Sequence, residues 1–194
     1  MDRGYLKKIA EVLHADAVAR GFWDVDDALG KHIAKMHSEL SEALQADRCG
    51  CPMLYVDDIT IPDGPETDIN KFDGRKPEGV AAELADFVMM LLDMTVQLDV
   101  DIGELLEDQR YSYYSDTYVH YSKLELHQIV LGGHRALHLL LYENDNMEQL
   151  GNAMLFCVFG IELWLSQRGV TLWDVIALKT AYNKNRPKLH GRKY

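Results

Sequence analysis

Apolar residues recur every three or four positions over most of the chain, which predicts an almost entirely α-helical protein. The pattern predicts five helices, over residues 5–19, 26–48, 77–98, 122–142 and 147–168. A last helix is expected after its capping residue Thr171, while Gly21 and Gly169 mark two helix ends. Pro77 takes an early helical position, where proline is tolerated. Residues 1–194 therefore fit one all-α domain, a helical bundle.

One connection between the predicted helices is unusually long. Residues 49–77 are rich in Pro, Gly and Asp, and loops of this length in compact domains are usually functional or mobile. We therefore expect residues 49–77 to form a mobile lid. Residues 111–165 supply extra helices and include a tyrosine-rich segment, 111–121. The sequence leaves open whether these tyrosines line a base pocket or an oligomer surface.

A faint internal repeat bears on how the helices are organised. Leu84-Ala-Asp-Phe-Val is similar to Leu150-Gly-Asn-Ala-Met, and the segment that begins at Val100 is similar to the one that begins at Val170. The two matches do not share one offset. One organisation that fits them is a duplicated helical hairpin with a degenerate second half, which has lost its acidic residues.

Composition and charge exclude several classes of protein. The chain is 47% hydrophobic with a formal net charge of −11, which is typical of a folded protein and unlike a nucleic-acid binder. Its longest uncharged apolar run, residues 150–161, is too short to span a membrane, and its first residues do not read as a secretory signal. Because Cys49, Cys51 and Cys157 match no common zinc pattern, we expect reduced thiols in a cytoplasmic protein.

Two acidic pairs lie inside strongly helical segments. Glu39 and Glu42 belong to the second predicted helix, and Glu83 and Asp86 belong to the third. Residues three apart share one face of a helix, and each pair is flanked by apolar residues that must face the core. Four carboxylates that converge between packed helices repel one another unless a cation neutralises them. The pattern therefore indicates a metal site, with a solvated polar stripe as the alternative.

The chemistry of these pairs favours a hard divalent cation. Carboxylates without a nearby His or Cys suit Mg²⁺ or Mn²⁺. Di-iron bundles use Glu-x-x-His on two helices, and neither acidic pair has His at that position. Asp93 lies seven residues after Asp86, hence on nearly the same helix face. It either supports the metal site or is a surface acid.

The basic C-terminal segment supplies a second candidate site. Lys179, Asn183 and Arg186 are spaced i, i+4, i+7, which predicts one helical face. The Arg guanidinium group binds phosphate oxygens through two parallel hydrogen bonds, and the Lys ammonium group attracts them as a point charge. Asn183 offers a neutral oxygen to a metal. The alternative is a basic helix end favoured by the helix dipole. Beside a metal site in an acidic protein, phosphate binding is the better interpretation.

Aromatic residues and histidines each allow two interpretations. Trp23 either stacks on a nucleobase or packs in the core. A row of histidines at near-heptad spacing is either a set of ligands or a set of packing and surface residues, namely His120, His127, His134 and His138. Because no acid lies among them at ligand spacing, packing and surface positions are favoured.

Together these motifs resemble those of the all-α nucleoside triphosphate pyrophosphohydrolases, the MazG-like and dimeric dUTPase superfamily. Four segments carry the resemblance: Gly21-Phe-Trp-Asp24, His37-Ser-Glu-Leu-Ser-Glu-Ala-Leu44, Lys76-Pro-Glu-Gly-Val-Ala-Ala-Glu-Leu-Ala-Asp86, and Lys179 through Gly191. The resemblance implies a bundle of MazG-like type. The family pattern is Glu-Glu-x-x-Glu followed by Glu-x-x-Asp on the next helix, and Ser38 replaces its first glutamate here.

The resemblance also implies a role for each candidate residue. The metal ligands fall on four acids: Glu39, Glu42, Glu83 and Asp86. The residues that touch phosphate or metal fall on three positions: Lys179, Asn183 and Arg186. The implied reaction is Mg²⁺-dependent hydrolysis of a (deoxy)nucleoside triphosphate to the monophosphate and pyrophosphate. Glu39 or Glu42 is the candidate for activating the attacking water, and a homodimer is expected, with a monomer as the alternative.

Two other functions fit the same sequence. A non-catalytic nucleotide-binding or regulatory module is the first alternative, because Ser38 could mark a decayed metal site. A structural helical interaction protein is the second, and it requires neither metal nor nucleotide. The sequence does not specify the base or the sugar of the nucleotide.

Overall fold

The computed structural model describes residues 3–57, 59–61, 69–72, 74–101, 124–142 and 147–191. This part of the chain forms six α-helices: α1 (Arg3–Ala19), α2 (Ala28–Arg48), α3 (Val80–Gln97), α4 (Leu126–Tyr142), α5 (Met147–Ser166) and α6 (Leu172–Asn183). The prediction of an all-α protein is confirmed. The tyrosine-rich segment 111–121 lies outside the described residues, and the duplicated hairpin and the single domain stay predictions.

Helix α3 is the centre of the bundle. It packs against α1, α2, α5 and α6, and its side chains Leu84, Phe87 and Leu91 are fully buried. A helix that is apolar on nearly every side is expected in the interior of a domain. Because α3 carries the second acidic pair, its central position brings that pair next to α2 on one side and α6 on the other.

The crossing of α2 and α4 is close because of one glycine. A Cβ atom at Gly133 would lie 2.8 Å from Leu40 Cδ1, so a larger residue there would force the Leu40 side chain to move. Beside the crossing, His37 and His134 stack with ring centroids 4.9 Å apart and Nδ1 atoms 2.7 Å apart. Burial lowers the pKa of both rings. Within the histidine row, His134 therefore packs between helices.

The rest of the histidine row divides between solvent and the part of the chain that is not described. His127 and His138 are exposed on α4, which agrees with surface positions. His120 lies outside the described residues. Nothing in the described part of the row brings three histidines together as ligands.

The long connection contains a small antiparallel sheet. Strands β1 (Tyr55–Val56), β2 (Ile59–Thr60) and β3 (Pro77–Glu78) are arranged in the order β2-β1-β3. A 3-10 turn, Ile69–Phe72, lies between β2 and β3. Residues 58, 62–68 and 73 lie outside the described part. The connection is thus partly ordered by strand pairing, and its action as a lid stays a prediction.

The third helix begins later than predicted. Pro77 belongs to β3, where it is opposite Val56 of β1, and α3 starts only at Val80. Gly79 makes the change of direction with a φ of 103°, and a Cβ atom there would lie 2.5 Å from the carbonyl oxygen of Pro52. Strand pairing and this glycine override the helix-start signal of the proline.

The last helix ends earlier than its spacing indicated. Helix α6 stops at Asn183, and Arg186 follows in a turn before the short 3-10 segment Lys188–Gly191. The prediction that Lys179, Asn183 and Arg186 share one helical face is therefore wrong for Arg186. Pro187 disfavours a helical conformation in the residue before it, which explains the early end.

The remaining expectations concern thiols and membranes. Cys49 is exposed, Cys51 is half-buried and Cys157 is buried, and all three are free thiols. Across the described residues, none of the helices combines the length and apolar character needed to cross a membrane.

Candidate functional site

A pocket of about 230 Å³ opens beside α3, between α1, α2, α6 and the C-terminal turn. It brings together every predicted site residue except Trp23. The predicted residues in its wall are Glu39, Glu42, Glu83, Asp86, Lys179, Asn183 and Arg186. Residues as far apart in the sequence as Glu39 and Arg186 therefore meet in one cavity.

Three of the predicted acids converge at one point of the pocket. Glu39 of α2 and Glu83 and Asp86 of α3 each offer an oxygen, and these oxygens all lie within 4.8 Å of one another. The i, i+3 spacing keeps Glu83 and Asp86 on one face of α3, and helix packing brings Glu39 against them. We call these three residues the acidic triad.

Burial and mutual repulsion make the acidic triad electrostatically costly. Glu39 is only 3% exposed. Burial raises the pKa of Glu83, Lys179 opposes that rise, and the negative charges of Asp86 and Glu42 add to it. The carboxylates therefore need positive charge nearby to stay ionised.

Two lysines supply positive charge to the triad. Lys35, one turn before Glu39 on α2, pairs with its carboxylate. Lys179 of α6 is 5% exposed and places Nζ 2.7 Å from Asp86 Oδ2. Sequence reasoning missed Lys35, although its i, i+4 spacing to Glu39 was a usable signal. Each ammonium shows that this corner of the pocket accommodates a cation.

The donor set of the triad fits a hard divalent cation. Three carboxylates supply the oxygen ligands that Mg²⁺ and Mn²⁺ prefer. Burial raises the pKa of Glu83, the negative charges of Asp86 and Glu42 add to that rise, and a divalent cation would offset both effects. The residues present therefore fit the metal that the sequence indicates, with Glu39, Glu83 and Asp86 as its candidate ligands.

Glu42 has a different position from the other three acids. It lines the pocket but is not part of the group whose oxygens lie within 4.8 Å. Ser38 Oγ, one turn earlier on α2, donates a hydrogen bond to Glu42 Oε1. The serine at the position where the resemblance expects a glutamate thus holds Glu42 in place.

Positive side chains line the wall next to the triad. Asn183 Oδ1 accepts a hydrogen bond from Arg186 Nη1 at 3.3 Å. Lys76 joins this wall, and its hydrogen bond to Glu78 raises the pKa of its ammonium group. Together with Lys179, these groups give the pocket a positively charged side directly beside an acidic one.

Trp23 lies away from the pocket wall. Its indole Nε1 donates to Asp93 Oδ1 at 3.0 Å, and its ring stacks on His32 with centroids 4.1 Å apart. His32 lines the pocket, whereas Trp23 does not. Stacking of Trp23 on a nucleobase stays a prediction, and the structure gives it a packing role behind His32.

Asp93 is a buried network centre rather than a surface acid. It is 4% exposed, and His14 Nδ1 lies 2.7 Å from Oδ1. His32 Nε2 lies 3.3 Å from Oδ2, while its Nδ1 lies 3.1 Å from the carbonyl oxygen of Ala28. The carboxylate thus accepts hydrogen bonds from His14 and Trp23 and lies within ion-pair distance of His32, and it supports the pocket wall.

The part of the pocket away from the triad is mainly apolar. Its apolar lining consists of Leu13, Ala17, Phe22, Val25, Met89, Met90 and Leu189. His190 and the buried Arg20 also line it. The sequence offered no periodic signal for Arg20 or His190, because the end of α1 and the C-terminal turn meet only in the folded structure.

Comparisons of the chain with known protein families, curated proteins and solved structures find no match. The function must therefore be argued from the chemistry of the pocket.

Proposed function

We propose that this protein hydrolyses a nucleoside triphosphate between its α and β phosphates, releasing a nucleoside monophosphate and pyrophosphate, with Mg²⁺ as cofactor. One observation carries the proposal: a buried acidic triad and a cluster of cationic side chains share one pocket. A magnesium triphosphate presents a divalent cation and a row of anionic oxygens side by side. The pocket presents the complementary charges in the same arrangement.

The acidic triad is the proposed metal-holding end of the site. Glu39, Glu83 and Asp86 would hold Mg²⁺, which when bound neutralises phosphate charge and promotes ionisation of a water molecule. Mn²⁺ is the chemically similar substitute. The ion pair between Lys179 and Asp86 holds the Asp86 carboxylate in position before the ligand arrives.

Glu42 is the proposed acceptor of the proton from the attacking water. Glu39 is buried and paired with Lys35, whereas Glu42 is exposed in the pocket and held by a single hydroxyl. A carboxylate that is oriented but not neutralised by a lysine is the better base. Of the two candidates from the sequence, the geometry therefore favours Glu42.

The cationic wall would bind the leaving pyrophosphate. Arg186 and Lys179 would each contact phosphate oxygens, and Asn183 would orient the Arg186 guanidinium through the hydrogen bond between them. Charge that develops on the leaving group would then be stabilised by groups already in place, without reorganisation of solvent.

Pyrophosphate release from a panel of nucleoside triphosphates in Mg²⁺ tests the proposal. We expect Glu83→Gln and Glu42→Gln to lower the rate by about 100-fold or more, because each removes an oriented charge from the site. Glu11→Gln, an exposed acid on α1, is the matched control and should leave the rate unchanged. Pyrophosphate release by Glu83→Gln at the rate of the parent protein would contradict the assignment of the metal to the acidic triad.

A second candidate function is nucleotide binding without turnover. The observation in its favour is that Lys35 and Lys179 already pair with two of the three triad carboxylates, which leaves less need for a metal. Titration calorimetry with a triphosphate in Mg²⁺, combined with product analysis, separates the two functions. Binding without products supports this candidate, and stoichiometric conversion to monophosphate excludes it.

A further inference from the structure

One buried polar atom in the pocket lacks a partner. Among the described residues, His190 Nε2 is buried without a hydrogen bond to any neighbouring group. Leaving such a group unpaired costs on the order of 1–3 kcal/mol, and buried polar groups in folded proteins are nearly always satisfied. Nε2 itself is closed to solvent, but His190 lines the pocket, so a small rotation of its ring would let a molecule in the pocket provide the missing partner.

The turn that carries His190 is held in place. The His190 ring packs edge-on against Phe22, with centroids 5.0 Å apart at 87°. The preceding residue, Leu189, donates its backbone N–H to the carbonyl oxygen of Arg20 at 3.0 Å, and Arg20 Nη1 donates to the carbonyl oxygen of Arg186 at 3.1 Å. These contacts fasten the C-terminal turn to the end of α1.

The backbone of this turn is also unusual. Leu189 has a φ of 50° and His190 a φ of 51°, a left-handed conformation that non-glycine residues seldom adopt. Two consecutive residues in this conformation direct the His190 ring inward against Phe22. Such conformations persist where the surrounding contacts enforce them, and they concentrate at binding sites.

His190 adds an uncharged ring nitrogen to a pocket wall that is rich in charged side chains. Burial, and then the positive charges of Arg186 and Arg20, lower the pKa of its imidazole to about 4. A neutral ring nitrogen adds no attraction for phosphate, which the neighbouring lysines and Arg186 already provide. It suits a neutral donor or acceptor instead, such as a sugar hydroxyl or a polar edge of a base.

The surroundings of His190 agree with that choice. The apolar side chains of Leu13, Phe22 and Met89 line the same cavity, and they suit the sugar and base of a nucleotide rather than its phosphates. We propose that His190 forms a hydrogen bond through Nε2 with the nucleoside part of the bound triphosphate and thereby selects among nucleosides. This inference rests on the proposed function, since it assumes a nucleotide as the ligand.

Binding measurements with two kinds of ligand test this role. Titration calorimetry in Mg²⁺ would use α,β-imido nucleoside triphosphates, which resist cleavage, and inorganic tripolyphosphate, which has no nucleoside. His190→Phe keeps an aromatic ring against Phe22 but removes Nε2. We expect it to weaken the best-bound nucleotide about tenfold, the value of one hydrogen bond to a ligand, and to leave tripolyphosphate affinity unchanged.

Two further variants provide controls. Arg186→Gln should weaken nucleotide and tripolyphosphate alike, because it acts on phosphate. His190→Gln retains a neutral polar group and should recover part of the affinity that His190→Phe loses, which also keeps the test decisive if the phenylalanine variant folds poorly. Equal nucleotide affinity in the parent protein and in both His190 variants would overturn the inference, as would an equal loss for nucleotide and tripolyphosphate.

A spectroscopic measurement separates this inference from the proposed reaction. The ¹⁵N resonance of His190 Nε2 should shift when a nucleotide analogue is added and remain in place with tripolyphosphate. A shift in a protein that binds nucleotides but releases no pyrophosphate would support the role of His190 while excluding hydrolysis. An unchanged resonance on nucleotide saturation would overturn the role of His190 and leave hydrolysis to be judged by its own assay.

Discussion

At the scale of single residues, the pocket depends on buried polar side chains whose partners come from other helices. Asp93 joins His14, His32 and Trp23, and the wall of the pocket is built on this network. Buried networks of this kind are stable only when each member is satisfied. The loss of one carboxylate oxygen should therefore disturb several of the residues that contact it.

Asp93→Ala tests this network directly. The substitution removes the acceptor of the His14 and Trp23 N–H groups near the pocket, and we expect it to lower the free energy of unfolding by about 3–5 kcal/mol. Urea unfolding followed by circular dichroism measures the change. Asp47→Asn, at an exposed acid near the end of α2, should change stability by less than about 0.5 kcal/mol. A loss for Asp93→Ala as small as the loss for Asp47→Asn would show that the network is unimportant.

His190 gives stability a dependence on pH whose sign can be stated. Its pKa is 6.5 in an unfolded chain and about 4 in the folded protein, so the unfolded state takes up a proton first as the pH falls. The contribution of His190 is therefore complete above pH 6.5 and is lost between there and about pH 4. Because the ring is only half-buried, we expect a loss on the order of 1 kcal/mol.

The measurement compares unfolding of the parent protein with that of His190→Gln across this pH range. Glutamine does not titrate, so the variant should show a smaller decline in stability on acidification than the parent. Parallel pH profiles for the two proteins would contradict the assignment of a neutral, buried imidazole.

At the scale of secondary-structure elements, the start of α3 is set by Gly79. This residue has a φ of 103°, and a Cβ atom would lie 2.5 Å from the carbonyl oxygen of Pro52. Glu83 follows four residues later, so a shift of the helix start would move an acid of the triad. The backbone geometry at Gly79, where β3 leads into α3, therefore helps to position the site.

Gly79→Ala should destabilise the protein and reduce its activity together. We expect a loss of about 2–4 kcal/mol from the forced backbone and the close contact. Gly74→Ala is the matched control, since Gly74 also has a positive φ, 76°, but a Cβ atom there meets nothing within 4 Å. Thermal unfolding of both variants isolates the cost of the contact from the cost of the conformation. Equal melting temperatures would show that the contact is relieved easily.

Much of the element structure could be predicted from the sequence, and the exceptions have physical causes. The helices follow the 3.6-residue period, and Gly21 and Gly169 lie just beyond two of their ends with φ values of 79° and 76°. Pro77 misled the prediction because strand pairing with Val56 depends on a partner some twenty residues away. Local signals describe a helix start well but contain no record of such pairing.

The candidate site, too, could be predicted from the sequence only in part. The i, i+3 spacing located Glu39, Glu83 and Asp86 because helix geometry alone fixes their face. It could not separate Glu42 from them, since the separation depends on how α2 is rotated against α3. Arg20 carries no pattern, and His190 was found only as part of the segment Lys179 through Gly191, because the contacts between the end of α1 and the C-terminal turn form only in the folded chain.

At the scale of the whole molecule, the protein has a net charge of −11, and its pocket combines six basic with six acidic side chains. The buried triad is the point at which that acidic excess is most costly. A bound divalent cation would relieve it and would stabilise the folded state by mass action.

Magnesium should therefore raise the melting temperature of the parent protein. At Mg²⁺ concentrations about 100 times the dissociation constant, the stabilisation approaches about 2.7 kcal/mol, which corresponds to a rise of several degrees. Glu83→Gln should abolish the rise, and sodium chloride at matched ionic strength should not reproduce it. An identical rise in both proteins would place the metal elsewhere.

The most direct test of the central claim identifies the products of the reaction. ³¹P NMR of the parent protein with a panel of nucleoside triphosphates in Mg²⁺ should show nucleoside monophosphate and pyrophosphate appearing together for at least one substrate, and EDTA should stop their formation. Nucleoside diphosphate with inorganic phosphate, or no products from any triphosphate in Mg²⁺ or Mn²⁺, would contradict the proposed function.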